Sequence, residues 1–528
     1  MIEVSEAWKD IQQRFLTPEG HIEITCAITE TGVQERATAS GTNEAIHSDV
    51  NKILGFDEDT SHQRYATNEL NLWALDGSMT ILPDYEPYES AGYVSDISES
   101  GSVTLTLPEV HTVLVPGVTI TWSSEYGEYP NVFTVTAKNG SEIVSELTVT
   151  DNKDKTCLVD MEISNYDSIT ITVHNWCLPY RRARIERVDI GHTLTLTKKD
   201  IISYSHEQHG DLLTGEIPKN SIEFSLNNVD GRWNPNNPVG REKYLAERQK
   251  LTVRYGMNVN GAIEWIKAGT FYLSEWNTPS NGIEAKFVAR DVFDYLLGSN
   301  VAGSSVYGNL EFLVNWACSP TLPAGASVEI DSSLASSPGR SPEISGTSAE
   351  IVQKCAHAAC CVLRYDRDGV LHVEPLNKAS SGYHIPLALS YSYPEVNLSK
   401  PLKEVSVDYG GENAFELVVS TVGEKQTVTN EYIYNEEYAT NVAEWVRDVL
   451  KSRKTVSGEF RADPRLDLFD IVTVEDKYGQ YLNVAITNIK YTFNGAFRGS
   501  YTGRVIDPMG DVLGSTFVLG KSILGRVV

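Results

Sequence analysis

The sequence predicts a mainly β, multidomain protein with a minor share of helix, on three observations. Its 528 residues exceed what a single hydrophobic core organises, so three or four domains are expected. Short runs alternate apolar and polar residues with a period of two, as in VTLTL from Val103, VTITW from Val118, VFTVTA from Val132 and SITITVHNW from Ser168. Gly, Pro, Asn and Asp punctuate these runs, whereas helical spacing recurs in only a few windows.

Taken in order, Trp8, Ile11 and Phe15 share one helical face, and Ile22, Ile24, Cys26 and Ile28 then alternate as a strand. Asn68 to Ala74 is a further alternating segment, closed by the turn pair Asp76-Gly77 and followed by the breaks Pro83 and Pro87. Residues 94–185 carry the densest short β-runs and read as a compact β-sandwich. From 185 to 297 strands dominate. Ile283, Ala285, Phe287 and Ala289 face one way, until Asp291 caps a short helix holding Val292, Phe293, Leu296 and Leu297.

Leu310, Leu313, Val314 and Trp316 form a helical stripe. Ser348 precedes a second one, Ile351, Val352, Cys355, Ala359, Val362 and Leu363, and Asp366 to Gly369 turns the chain into VLHVEPL. The most regular amphipathic helix carries Val442, Trp445, Val446, Val449 and Leu450. Ile489, Tyr491 and Phe493 alternate along a closing strand, and STFVLGKSILGRVV after Gly514 reads as an edge strand or an arm reaching a neighbouring subunit.

The balance of 71 acidic against 44 basic residues, a formal charge of −27, argues against a protein that grips nucleic acid by neutralising phosphates. Arg181, Arg182, Arg184 and Arg187 are the densest basic group; interleaved with Ala183, Ile185 and Val188 they read as a strand with one solvated face. No apolar run reaches the roughly 18 residues a membrane helix needs. The start, with Glu3 and Glu6 and no basic stretch before an apolar one, does not read as a secretion signal, so synthesis in a cytoplasm is expected. Seven scattered cysteines fit reduced thiols.

Catalytic motifs are absent: there is no Gly-x-Ser-x-Gly elbow, no phosphate loop and no His-Glu-x-x-His. His206 and His209 stand three apart and read as ordinary loop histidines rather than zinc ligands. Among Cys355, His357, Cys360 and Cys361, the helical rotation turns His357 about 160° from Cys355, so buried thiols are the reading. Asp463, Asp467 and Asp470 read as structural, and Asn227, Asn228, Asp230, Asn234 and Asn236 do not follow calcium-loop spacing. No catalytic, cofactor-binding or metal-binding residue is therefore assigned, no cofactor is expected, and the chain is expected not to be an enzyme. Trp122, Tyr126, Tyr129, Trp176 and Tyr180 are candidate glycan-binding residues, able to stack on sugar rings beside Asp160, Asn165 and Asn175; aromatics of this kind equally suit a sandwich core.

Four segments, SIEFSLNNVDGRWNPNNP from Ser221, GTFYLSEW from Gly269, VLRYDRDGVLHVEPL from Val362 and RADPRLDLFDIVTV from Arg461, form an ordered set that resembles the baseplate hub, or tail-tip hub, proteins of bacteriophages and prophages. The resemblance implies a hub of β-barrel-like and α+β domains. It implies a discontinuous β-rich domain over 1–93 plus 186–299, interrupted by the β-sandwich at 94–185, then an α+β domain over 300–390 and a β-rich domain over 391–528.

It also implies a homotrimer in a virion tail tip or baseplate, made in the host bacterial cytoplasm. The implied partners are the tail tube and distal tail proteins, the tape-measure protein, and tip, fibre or receptor-binding proteins, with host surface carbohydrate as a candidate for the inserted sandwich. The rival readings are a tail-associated cell-wall hydrolase and a stand-alone glycan-binding adhesin.

Overall fold

A computed structural model describes residues 1–14, 18–28, 33–45, 48–54, 87–93, 101–122, 126–234, 237, 245, 247–278, 282–304, 308–323, 326–338, 344–410 and 413–506. Phe15, the expected strand from Asn68 with its turn, the breaks at Pro83, Pro235 and Pro238, and the tail after Gly514 lie outside the described residues. The chain is mostly strand with little helix, arranged in several distinct sheets. It divides into two compact units: one draws on Met1–Ile24, Leu196–Val229 and the chain from Thr252 onward, the other on Thr25–Thr195 and Asp230–Leu251.

The first unit is organised by a large sheet. From Lys250–Val259 its order runs on through Ala262–Asn277, Glu284–Arg290, Lys219–Asn227, Ile201–His209, Tyr481–Phe493, Phe497–Val505, Lys454–Phe460 and Glu395–Leu398. Antiparallel register sets Tyr204 opposite Phe224 and Phe493, and His206 opposite Ile222 and Tyr491. Because side chains alternate across a strand, this register puts Tyr204, His206, Phe224, Phe287 and Tyr491 on one buried face. No pairing among the described residues closes this order into a barrel.

A second core in this unit packs helices Leu310–Cys318, Ser348–Ala358 and Glu436–Leu450 with the strands Val362–Tyr365, Val370–Glu374 and Leu402–Tyr409. Val442 and Val446 are buried as the amphipathic spacing predicts, and Asn435 caps their helix by accepting the Tyr438 N–H. The preceding helix starts with a full capping box, Thr347 with Glu350. It ends at Ala358, earlier than the apolar spacing through Val362 and Leu363 suggests. Cys360 takes a left-handed backbone conformation, φ 58°, which reverses the chain into the strand Val362–Tyr365. Gly369, φ 96°, supplies the turn of the following hairpin, and Asp366 secures it by accepting the N–H groups of Asp368 and Val370.

The second unit holds a sheet ordered Thr38–Thr42, Ser102–His111, Tyr166–Trp176, Pro130–Asn139 and Glu142–Val149, and another ordered Arg187–Ile190, Val115–Thr121 and Thr156–Ile163. Both contribute to one hydrophobic core that includes Val103, Ile120, Trp122, Phe133, Ile171 and Val188. Gly117 marks a register shift where the strands approach closely, since a Cβ there would lie 1.9 Å from the Val159 carbonyl oxygen. The pair Arg182–Arg184 and Glu89–Tyr93 forms a small separate ribbon.

Candidate functional site

The segment RADPRLDLFD folds into a buried turn rather than an acidic surface. Arg465 Nε lies 2.9 and 3.0 Å from the two carboxylate oxygens of Asp463, and both residues are almost wholly buried. Arg367, projected from the tip of the 362–374 hairpin, donates from Nε to Asp467 at 2.8 Å, from Nη1 to the Lys267 carbonyl at 3.0 Å and from Nη2 to the Leu466 carbonyl at 2.8 Å. The Tyr491 hydroxyl donates to the same Leu466 carbonyl at 2.8 Å. A planar guanidinium with five fixed N–H groups suits such a three-way tie.

Next to this tie lies a second chain of polar contacts on the sheet. His206 is 0% exposed; its Nδ1 is 2.7 Å from the Tyr255 hydroxyl and its Nε2 is 2.7 Å from Asn220 Oδ1. Asn220 Oδ1 only accepts, so Nε2 carries the proton and Nδ1 accepts from Tyr255, whose oxygen in turn accepts from the Tyr204 hydroxyl at 2.8 Å. Burial pulls the His206 pKa down to about 4, which keeps the ring neutral as this pattern requires. Burial likewise drives the Tyr204, Tyr255 and Tyr491 hydroxyls well above their ordinary range. The Phe271 ring packs edge-on against His206 at 5.3 Å. Both ring nitrogens are occupied and sealed from solvent, so this histidine fastens the sheet and has no face to offer a substrate.

The second unit buries charge in another way. Glu89 and Glu128 sit inside it, and Arg181, Arg182 and Arg184 converge on them. Arg181 pairs with Glu128 at 3.0 Å, Arg182 and Arg184 with the two oxygens of Glu89 at 3.3 and 3.1 Å, and Arg184 also approaches Glu128 at 3.8 Å. Trp176 Nε1 donates to Glu128 at 2.8 Å, and the Arg184 guanidinium lies 4.4 Å above the Tyr126 ring. The reading of these arginines as a solvated strand face is therefore corrected: Arg181 and Arg184 are buried because two carboxylates compensate them there.

The candidate glycan residues separate into two sets. Trp122 and Trp176 are core side chains, packed edge-on against each other at 6.3 Å, with Trp122 also 4.8 Å from Phe133. An indole enclosed this way has no face open to a sugar ring. Tyr126 and Tyr129 are half-buried, and Tyr180 is 58% exposed.

His206 and His209 stand on the strand Ile201–His209, not on a loop. His357 is buried near Asn430 and Trp445, and Cys360 and Cys361 follow the helix instead of lying on it. Among the described residues no group of three or more His, Cys, Asp or Glu is placed to hold a metal ion. Nor is any described helix long and apolar enough to cross a membrane. Sequence reasoning missed Glu89, Glu128, Arg367 and Tyr255. Arg367 alone had a local signal, a guanidinium at the tip of an Asp-Arg-Asp-Gly turn.

No family model matches the chain, and no curated protein matches it. Among solved structures it is similar to a 43 kDa tail protein of prophage MuSo2 from Shewanella oneidensis, at 15% identity and a TM-score of 0.43 over 60% of this chain and 95% of that one. It is also similar to a tail protein from Neisseria meningitidis, at 13% identity and 0.44 over 60% and 94%. A prophage tail protein from Listeria monocytogenes follows at 12% and 0.39 over 60% and 92%. The chain thus has a distant structural similarity to several tail proteins, and the functional reading rests on its own residues.

Proposed function

We propose that the chain is a structural component of a phage tail tip or baseplate: a homotrimeric hub that joins the tail tube and distal tail protein to tip components and surrounds the passage of genome and tape-measure protein. One observation carries the reading. Two of the segments resembling hub proteins meet in a single tie, with Arg367 from VLRYDRDGVLHVEPL grasping Asp467 and Leu466 from RADPRLDLFDIVTV, and the same guanidinium holds the Lys267 carbonyl, two residues before GTFYLSEW. Motifs consumed in this way hold hairpin, turn and strand together, the cohesion a ring under mechanical load needs. The charge of −27 supports a passage that does not trap DNA, because carboxylates repel phosphates.

The test is the native mass of the purified full chain together with its location by electron microscopy in a particle. Three chains per assembly at the tail tip are expected, with no clearing on a peptidoglycan zymogram. A monomer that degrades peptidoglycan and is missing from any virus-like appendage would overturn the reading. Within the same proposal, sugar recognition by the second unit falls to Tyr180, Tyr126 and Tyr129. Tyr180→Ala is expected to leave folding intact and lower retention on host-wall glycan, and equal retention removes that role.

A further inference from the structure

At one side the large sheet ends on the short strand Glu395–Leu398, which among the described residues pairs only with Lys454–Phe460. Ser399 donates its N–H to the Arg453 carbonyl at 2.8 Å, so the alternation of an antiparallel ladder turns the backbone groups of Asn397 and Glu395 toward that neighbour and those of Val396 and Leu398 outward. All four residues of the strand are exposed, with Val396 at 43% and Leu398 at 62%. Val396 stands opposite the buried Val456, so the apolar face of the sheet runs out to this edge instead of stopping short of it. Open amides beside exposed aliphatic side chains are a template for a further strand.

The chain itself carries such a strand within reach. Phe497–Val505 lies on the other side of Lys454–Phe460, and Thr455 stands opposite both Asn397 and Arg504. Two antiparallel steps make Phe497–Val505 and Glu395–Leu398 run in the same direction, so the chain leaves Val505 level with the end of the open edge, two strand spacings or about 10 Å away. Residues 507–513, which include Pro508 and Gly510, can extend to about 23 Å, more than twice that gap. Ser515, Thr516, Phe517, Val518 and Leu519 follow, a run of strand-favouring residues that sets Phe517 and Leu519 on one face. Residues 514–528 carry Lys521 and Arg526 and no acid, in a chain of charge −27, which draws them to the acidic body and to Glu395.

We propose that residues 515–519 add to this edge of their own chain as an antiparallel strand, their backbone pairing with the outward groups of Val396 and Leu398 while Phe517 and Leu519 cover those two side chains. The added strand is a cover, and while it is in place no strand of a second copy docks there. The inference does not depend on the phage-tail reading.

The test compares hydrogen exchange, read by mass spectrometry, in the full chain and in a chain ending at Ile506. In peptides covering 391–399, about two amides should exchange at least about tenfold more slowly in the full chain than in the shortened one. If the shortened chain does not fold, Phe517→Pro and Val518→Pro serve instead. Neighbouring residues of a strand point their N–H groups to opposite sides, so one of the two removes a donor to the edge and should free these amides. Benzoylphenylalanine in place of Phe517, in chains mixed with isotope-labelled chains before assembly, should photo-cross-link to 391–399 with a single isotope in each product. Fast exchange in the full chain, slow exchange in the shortened chain or in both proline variants, or cross-links that join the two isotopes overturns the proposal, the last in favour of an arm from a second copy.

Discussion

In the first unit two buried guanidinium groups have a carboxylate each, Arg367 with Asp467 and Arg465 with Asp463, whereas in the second unit Arg181, Arg182 and Arg184 share Glu89 and Glu128. Arg367 has backbone carbonyls in reserve, so losing Asp467 leaves it two acceptors. Glu89 faces two arginines at once, and its loss removes a counter-ion from both. Buried charge is thus held redundantly in one unit and jointly in the other, and the two arrangements should fail differently.

The largest expected effect is Glu89→Gln, which should cost about 3–5 kcal/mol in urea unfolding, the range for breaking a buried ion pair from one side. A loss below about 1 kcal/mol would mean that water already screens these arginines and would break the contrast.

Next comes acid sensitivity of the first unit. His206 and His357 are both held to about 4 by burial, so the native state refuses protons that the unfolded chain accepts below the ordinary value of 6.5. Stability from each is present above pH 6.5 and is lost as pH falls toward 4, on the order of 3 kcal/mol per histidine across the window. His206→Asn should flatten this part of the stability–pH curve by about half, leaving the share of His357. An unchanged slope would show that His206 is protonated in the folded chain.

Asp467→Asn should cost less than Glu89→Gln, about 1–3 kcal/mol, because the carbonyl contacts of Arg367 survive. Equal costs for the two variants would erase the distinction between paired and shared carboxylates.

The smallest effect concerns Asp291, which caps the helix Val292–Gly298 by accepting the Phe293 N–H while burial raises its pKa well above the ordinary carboxylate range. For a raised acid the sign reverses: the native carboxyl keeps a proton that the unfolded chain releases, so stability declines as pH rises from the ordinary value of 3.8 through the folded one. Asn retains the capping oxygen without this decline, so Asp291→Asn should match or exceed the parent at pH 7 by up to about 1 kcal/mol. A clear loss at neutral pH would identify an ionised carboxylate at work.

Much of the strand and helix pattern was legible because it depends on spacing alone. Val103, Leu105 and Leu107 alternate and are buried, as are Val442 and Val446 on their helix. Spacing misled where a short motif overrode it. The stripe from Ile351 runs on through Leu363 in the sequence, yet the left-handed Cys360 ends the helix and starts a strand. Aromatic content around Trp122 and Trp176 suggested sugar stacking, but composition does not tell a ring in the core from one on the surface.

By itself the sequence determined the β-rich character, the helix cap at Asp291, the acidic balance and the absence of familiar catalytic motifs, since each depends on local chemistry or on counting. Only the tertiary structure decided which charges are buried and with whom. Glu89 and Arg184 lie 95 positions apart, and Arg367 and Asp467 lie 100 apart. Nothing in either neighbourhood announces the partner, because desolvation and pairing are properties of the place to which folding brings a side chain.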